Sequence, residues 1–195
     1  MLRLIFVLLV ATTATLMPRL LAAQAPQPPD AVAKALQARY DKIRDFSASF
    51  VQTYRGGALK TRTQERGTVA VKKPGKMRWV YTDPDRKELV SDGSKTYWYV
   101  PADKQVLVSD VSPADQARTP VLFLSGKGDI ARDFTASYAE GAPAGTIALK
   151  LVPRRPEPDY EYLVVTLDPA TLQIRGLTTR DRQGGDSSFT FTNMK

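Results

Sequence analysis

Thr68-Val69-Ala70-Val71-Lys72-Lys73-Pro74-Gly75-Lys76-Met77-Arg78-Trp79-Val80-Tyr81-Thr82 is the stretch that decides the fold. In its second half Met77, Trp79 and Tyr81 share one face, and Lys76, Arg78 and Thr82 the other. That period of two belongs to a strand with one apolar side. Lys73-Pro74-Gly75 places Pro at the first central position of a turn and Gly at the next, a combination that reverses a chain. Thr68–Lys72 and Lys76–Thr82 are therefore read as the two arms of a hairpin.

The same grammar extends outward. Asp83-Pro84-Asp85 reverses the chain again, Lys87–Ser91 reads as a strand, and Asp92-Gly93 is a tight-turn pair. Thr96–Val100 and Gln105–Ser109 continue the meander across a break at Pro101-Ala102-Asp103. Upstream, Phe46, Ala48 and Phe50 alternate with Ser47 and Ser49 within a strand over 46–54. Before it, Asp30 is placed to cap a helix running to about Arg44, in which Val32, Leu36, Tyr40 and Ile43 form one apolar stripe. Downstream the pattern changes. Ser112-Pro113-Ala114-Asp115 and Thr119-Pro120 start short helical turns, with Val121-Leu122-Phe123-Leu124 as an apolar run and Gly126 as a stop. Strands resume at about 135–139, 146–152, 160–167, 174–179 and 187–192. About ten short strands in succession imply one large antiparallel sheet or barrel, a mainly β (α+β) class.

The first residues are set apart from this pattern. Arg3, the apolar run from Leu4 to Leu16 and Ala23-Gln24-Ala25 form a cleavable signal peptide over 1–25, too short to span a bilayer. The mature chain, 26–195, is expected to form a single domain. Removing the leader takes away Arg3 and Arg19, which leaves 26 basic side chains against 20 acids, a charge of +6. Such an excess suits anionic headgroups or an acidic partner as well as plain solvation, and export makes nucleic acid an unexpected partner. Leu21-Ala22-Ala23-Gln24 is similar to a lipoprotein signal box with Gln in the place of the lipid-bearing Cys, so acylation is not expected.

The chain holds no His and no Cys. That removes the usual general base near neutral pH, the thiol nucleophile, His-dependent triads and the N/S ligands of a zinc site. The acids mostly sit in turns, at Asp83-Pro84-Asp85, Asp92-Gly93, Asp103 and Asp168-Pro169, where turn chemistry accounts for them. No enzymatic role, metal or cofactor is expected.

Aromatic residues stand on both sides of the strand over 96–100: Tyr97 and Tyr99 on one, Trp98 on the other. Each side is therefore expected to be covered locally. The stripe of Leu36, Tyr40 and Ile43 and the run ending at Leu124 are the apolar surfaces available as covers. Laid on a curved sheet they could complete a filled core or roof a cavity, and periodicity suits both.

Gly67–Trp79, Leu89-Val90-Ser91-Asp92-Gly93 and Tyr99-Val100-Pro101 together resemble the periplasmic outer-membrane lipoprotein carrier family. Asp45–Gln52 is similar to that family's first strand and Thr119–Leu124 to its lid segment; the resemblance covers about residues 30–193. It implies an incomplete antiparallel barrel covered by a lid of short helices. It implies a periplasmic shuttle that shelters the acyl chains of lipoproteins between an inner-membrane ABC transporter and an outer-membrane receptor. No cofactor is implied, and the chain is expected to act as a monomer. Met77, Trp79 and Tyr81 match the family's cavity-facing positions, and Leu122, Phe123 and Leu124 its apolar lid. Leu36, Tyr40, Ile43, Phe50 and Leu89 complete the expected acyl-chain-binding surface. Lys73 stands where the family places a basic lid latch, usually Arg; otherwise it is a hairpin-turn cation. The family also continues into a further strand beyond the position of Lys195, so an exposed sheet edge is expected next to Phe189-Thr190-Phe191. A lipoprotein-sensing module of the same fold is the alternative role.

Overall fold

A computed structural model describes residues 27–57, 61–111, 124, 126 and 128–195. The signal peptide over 1–25 and the helical turns placed between Ser112 and Phe123, with Leu122 and Phe123 among them, lie outside the described residues.

Eleven strands form one antiparallel sheet. The first six are β1 (Asp45–Arg55), β2 (Arg62–Lys72), β3 (Lys76–Asp83), β4 (Lys87–Asp92), β5 (Lys95–Val100) and β6 (Gln105–Asp110). The other five are β7 (Phe134–Tyr138), β8 (Ile147–Pro153), β9 (Tyr162–Leu167), β10 (Ile174–Arg180) and β11 (Asp186–Thr192). Their order is β6-β5-β4-β3-β2-β1-β11-β10-β9-β8-β7, two meanders joined where β1 pairs with β11. The sheet ends at β6 and β7, so the barrel is incomplete. Among the described residues it is accompanied by α1 (Pro29–Lys42), the single turn α2 (Ile130–Asp133) and a short 3-10 helix at Pro101–Asp103; α1 packs on α2 and β7.

The hairpin of β2 and β3 is present with Lys72 opposite Lys76, and Gly75 takes the left-handed φ of 74° that the turn requires. Ser91, buried at the end of β4, donates its hydroxyl to the Gly75 carbonyl at 2.9 Å and so ties this turn to the next strand. β2 begins six residues earlier than its apolar alternation suggests, because its first half carries charged residues and is held by the full-length β1 ladder instead. The helix also starts earlier than expected. Pro28 and Pro29 already hold helix-compatible φ angles, so Pro29 opens α1 and Asp30 lies in its first turn without capping it. Ile43 is the extended residue that ends α1, and the buried stripe is Val32, Ala33, Leu36 and Tyr40.

Two expectations about the sheet surface are corrected. Trp98 packs against the core and Tyr97 is half-buried, its hydroxyl donating to the Asp92 carboxylate at 3.2 Å, but Tyr99 is exposed, so the outer side of β5 is not covered throughout. The edge expected beside β11 does not exist: β11 is paired on both sides, with β1 and β10. Past the ladder, Ser47 and Lys195 exchange backbone hydrogen bonds of 3.1 and 3.0 Å.

The inner faces of both meanders meet in one core. Phe50 lies 5.0 Å from the ring centres of both Trp79 and Tyr81 and 5.9 Å from Phe189, in edge-to-face contacts. Room for Phe50 comes from Gly67 opposite it. A Cβ there would meet the Val80 carbonyl oxygen at 2.0 Å and the tip of the Phe50 ring at 2.9 Å. Gly67 sits beside a β-bulge in the β2–β3 ladder, where extra local twist turns the sheet inward. Gly67→Ala is expected to lower unfolding free energy by about 1–3 kcal/mol through overpacking. Chemical denaturation checks this, with a shift of the midpoint and little change in slope.

Candidate functional site

Of the acids singled out as turn residues, Asp92 and Asp168 bond within their turns, whereas Asp83 is the last residue of β3 and Asp103 lies in a 3-10 helix. Asp92 accepts the backbone N–H groups of Ser94 and Lys95 at 2.8 and 2.7 Å, and these bonds hold its carboxyl far below the usual range. Asp168 accepts from Ala170 and Thr171 in the same manner, with the Thr171 backbone bond the largest cause, and is pushed down to about 2. No cluster of three or more potential metal ligands occurs among the described residues.

What the sheet offers instead is an apolar interior with a cavity at one end. A cavity of about 200 Å³ lies between the end of α1, the start of β1 and the β9–β10 connection. Its apolar walls are Tyr40, Ile43, Phe46, Leu124, Leu172, Ile174, Phe191 and Met194, with Arg39, Asp45, Gln173 and Lys195 as its polar lining. A second cavity of about 230 Å³ is lined by Asp30, Lys34 and Arg154 beside Phe134 and small alanines, an ill match for an apolar chain.

Of the residues expected to meet an acyl chain, Tyr40, Ile43 and Leu124 line the first cavity. Leu36, Phe50, Met77, Trp79 and Tyr81 are buried in the continuous core behind it, and Leu89 packs partly buried against that core. The strip marked by alternation is therefore occupied by neighbouring side chains: Trp79 touches Phe50 and Phe189, and its Nε1–H points at the Met77 sulfur at 3.3 Å. Sequence reasoning missed Leu172, Ile174, Phe191 and Met194, and left Phe46 out of the site although its alternation was visible. Phe191 and Ile174 carried the strand period; Leu172, at a positive φ of 53° in a turn, carried no local signal.

Lys73 and Tyr40 make the polar contacts at this end. Burial pushes the Tyr40 phenol far above its ordinary value, so it stays neutral and donates to the buried Leu124 carbonyl at 2.8 Å. The Lys73 ammonium donates to the Tyr40 backbone carbonyl and lies 3.6 Å from the centre of the Tyr40 ring. A cation suits the last turn of a helix, where carbonyls lack intrahelical partners. Desolvation pushes the Lys73 pKa down, with Asp41 opposing. The Lys73 stem lies against Gly126, whose φ is 80° and where a Cβ would stand 2.6 Å from the Lys73 Cδ. One lysine thus touches both the end of α1 and Gly126.

A family model described as outer membrane lipoprotein carrier protein LolA matches residues 41–195. The outer-membrane lipoprotein carrier protein of Methylococcus capsulatus is 29% identical over 160 residues, 82% of this chain and 75% of that protein. That of Chromohalobacter salexigens is 30% identical over 166 residues, 84% and 76% respectively. The solved structure of an uncharacterized conserved protein from Thermus thermophilus has the same fold, with a TM-score of 0.51 at 15% identity over 84% of this chain and 86% of that one.

Tyr40→Phe removes the donor that satisfies the Leu124 carbonyl while keeping the ring. It is expected to cost about 1–3 kcal/mol and to speed amide hydrogen exchange at Leu124 and Gly126 more than at Trp79. Exchange mass spectrometry checks both.

Proposed function

The chain belongs to the outer membrane lipoprotein carrier protein family, and from that membership we propose that it carries lipoproteins through the periplasm by sheltering their acyl chains. On this reading it accepts them from an inner-membrane ABC transporter and delivers them to an outer-membrane receptor. The mature chain, 26–195, is the carrying unit, a single domain without catalysis.

The observation that supports this best is the apolar cavity bounded on one side by Leu124 and the end of α1 and backed by the continuous core. Each buried CH₂ is worth about 0.8 kcal/mol, so a long acyl chain left in water costs roughly 10 kcal/mol. The empty cavity, about 200 Å³, is below the roughly 300–1,000 Å³ of preformed ligand sites. Loading must therefore lift the cover formed by α1 and the segment at Leu124. Acyl chains then replace contacts between cover and sheet, and apolar area is exchanged instead of created. Binding becomes a small difference between two burials, so the ligand can also leave. Lys73 biases the exchange towards the closed state through the Tyr40 carbonyl and ring.

Two outcomes test this. Mass spectrometry of organic extracts from the purified protein is expected to find acylated peptides or lipids; a clean extract together with no binding of a fluorescent fatty-acyl probe sinks the reading. Ile43→Gln with Leu172→Gln is expected to weaken that probe by about tenfold, near 1.4 kcal/mol. Second, Lys73→Leu is expected to change the rate of acyl-probe release several-fold while moving stability by less than about 1 kcal/mol, because the lost contacts are offset by relief of ammonium desolvation. Equal release rates for the two proteins would remove Lys73 from the latch role.

A further inference from the structure

The apolar interior ends in a band of polar side chains, at the end of the sheet remote from the cavity. Neighbouring strands β11, β1, β2, β3 and β4 each contribute one member: Ser187, Gln52, Glu65, Tyr81 and Lys87. Register sets them on the inner face. Gln52 stands opposite Glu65 and, on its other side, Phe189, while Tyr81 stands opposite Lys87. The members are joined to one another. Gln52 Nε2 donates to the Ser187 hydroxyl at 3.1 Å, and the Tyr81 hydroxyl donates to Gln52 Oε1 at 2.9 Å. The Lys87 ammonium donates to Glu65 Oε1 at 2.5 Å and lies 4.7 and 5.4 Å from the ring centres of Tyr81 and Trp98. Both charged side chains are drawn in, Lys87 at 21% and Glu65 at 23% exposure. Burial, and then the Glu65 charge, push the Tyr81 phenol above its ordinary value, so it remains a donor. On the cavity side of the band the same strands bury Phe189, Phe50, Val69 and Trp79, with Leu89 packed against them. An ion pair drawn out of water gains little stability over apolar residues of similar volume, so its place on this face calls for another reason.

We propose that this band is the floor of the acyl compartment and fixes the longest chain the protein shelters, an inference that rests on the carrier reading. The lengths agree. Phe46, on the cavity wall, is six positions from Gln52 along β1, roughly 20 Å at about 3.3 Å per residue. The hydrocarbon core of a bilayer is about 30 Å thick and holds two leaflets, so one acyl chain spans about 15 Å. A chain that enters at the cavity and lies along the inner face beneath a lifted α1 ends just short of Gln52. A longer chain brings its last CH₂ groups onto Glu65 and Lys87. There it strips water from a charged pair and offers no hydrogen bond in return, so the added length gains nothing.

Saturated fatty-acyl probes with one common fluorescent headgroup and chains of about ten to about twenty carbons read this floor. In the unaltered protein, affinity is expected to rise with length, by up to about fourfold per fully buried CH₂, and then to level off. Glu65→Leu with Lys87→Met replaces the pair by apolar residues of similar size, a change such pairs tolerate. It is expected to move the break to chains about two to four carbons longer and to tighten those about tenfold, with shorter probes changed less than about twofold. Glu65→Lys with Lys87→Glu exchanges the charges and is expected to leave the break where it was. Tyr81→Phe with Gln52→Leu takes the polar groups from the middle of the band and is expected to move the break in the same direction as the apolar pair. Circular dichroism confirms that each variant folds, and either apolar variant suffices. Affinity that rises without a break in the unaltered protein, or a break at one length in all the variants, overturns the proposal and leaves the carrier reading intact. If no probe of any length binds, the carrier reading fails and the floor falls with it.

Discussion

The antiparallel pairing of β1 with β11 is the constraint on which the rest of this molecule depends. It brings residues 49–55 alongside residues 186–192 and joins two meanders that would otherwise be separate sheets. Facing residues on that ladder, Phe50 with Phe191 and Gln52 with Phe189, bring the aromatic side chains of the two halves into one interior. Closing a loop of this length is an entropic cost that grows only slowly with the number of residues enclosed. The edge-to-face contacts among Phe50, Trp79, Tyr81 and Phe189 and the burial they bring can therefore outweigh it.

From that seam follows the division of the interior. Where the seam is flanked by large rings the core is full. Where it runs out, past Phe46 and Phe191, the walls are the end of α1, Leu124 and the β9–β10 connection, and a gap remains. The elements over this gap are packed into the core through Leu36, Tyr40 and Leu124 and tied to one another by polar contacts, the Tyr40 hydroxyl to the Leu124 carbonyl and the Lys73 ammonium to the Tyr40 carbonyl.

Alternation along β1 and β3 made the inward direction of Phe46, Phe50, Met77, Trp79 and Tyr81 legible, and the stripe through Leu36 and Tyr40 marked the face that α1 buries. The turn carboxylates were legible too, since Asp92 and Asp168 bond only to groups a few residues away. Which apolar residues border empty space was not legible. Met77 and Trp79 read as cavity residues and are packed, whereas Leu172 and Met194 border the cavity without any periodic pattern. Burial and vacancy produce the same alternation, because both ask only that a side chain avoid water.

By itself the sequence determined the strands, their inner faces, the amphipathic helix and the absence of histidine and cysteine chemistry. Each of these depends on residue identity or on spacing within a few positions. Only the tertiary structure decided that β11 lies between β1 and β10, that β6 and β7 are the ends, and that the gap opens beneath α1. The physical reason is that backbone hydrogen bonds pair any two strands alike. Their order is chosen by packing among residues more than a hundred positions apart, and local periodicity carries no record of that choice.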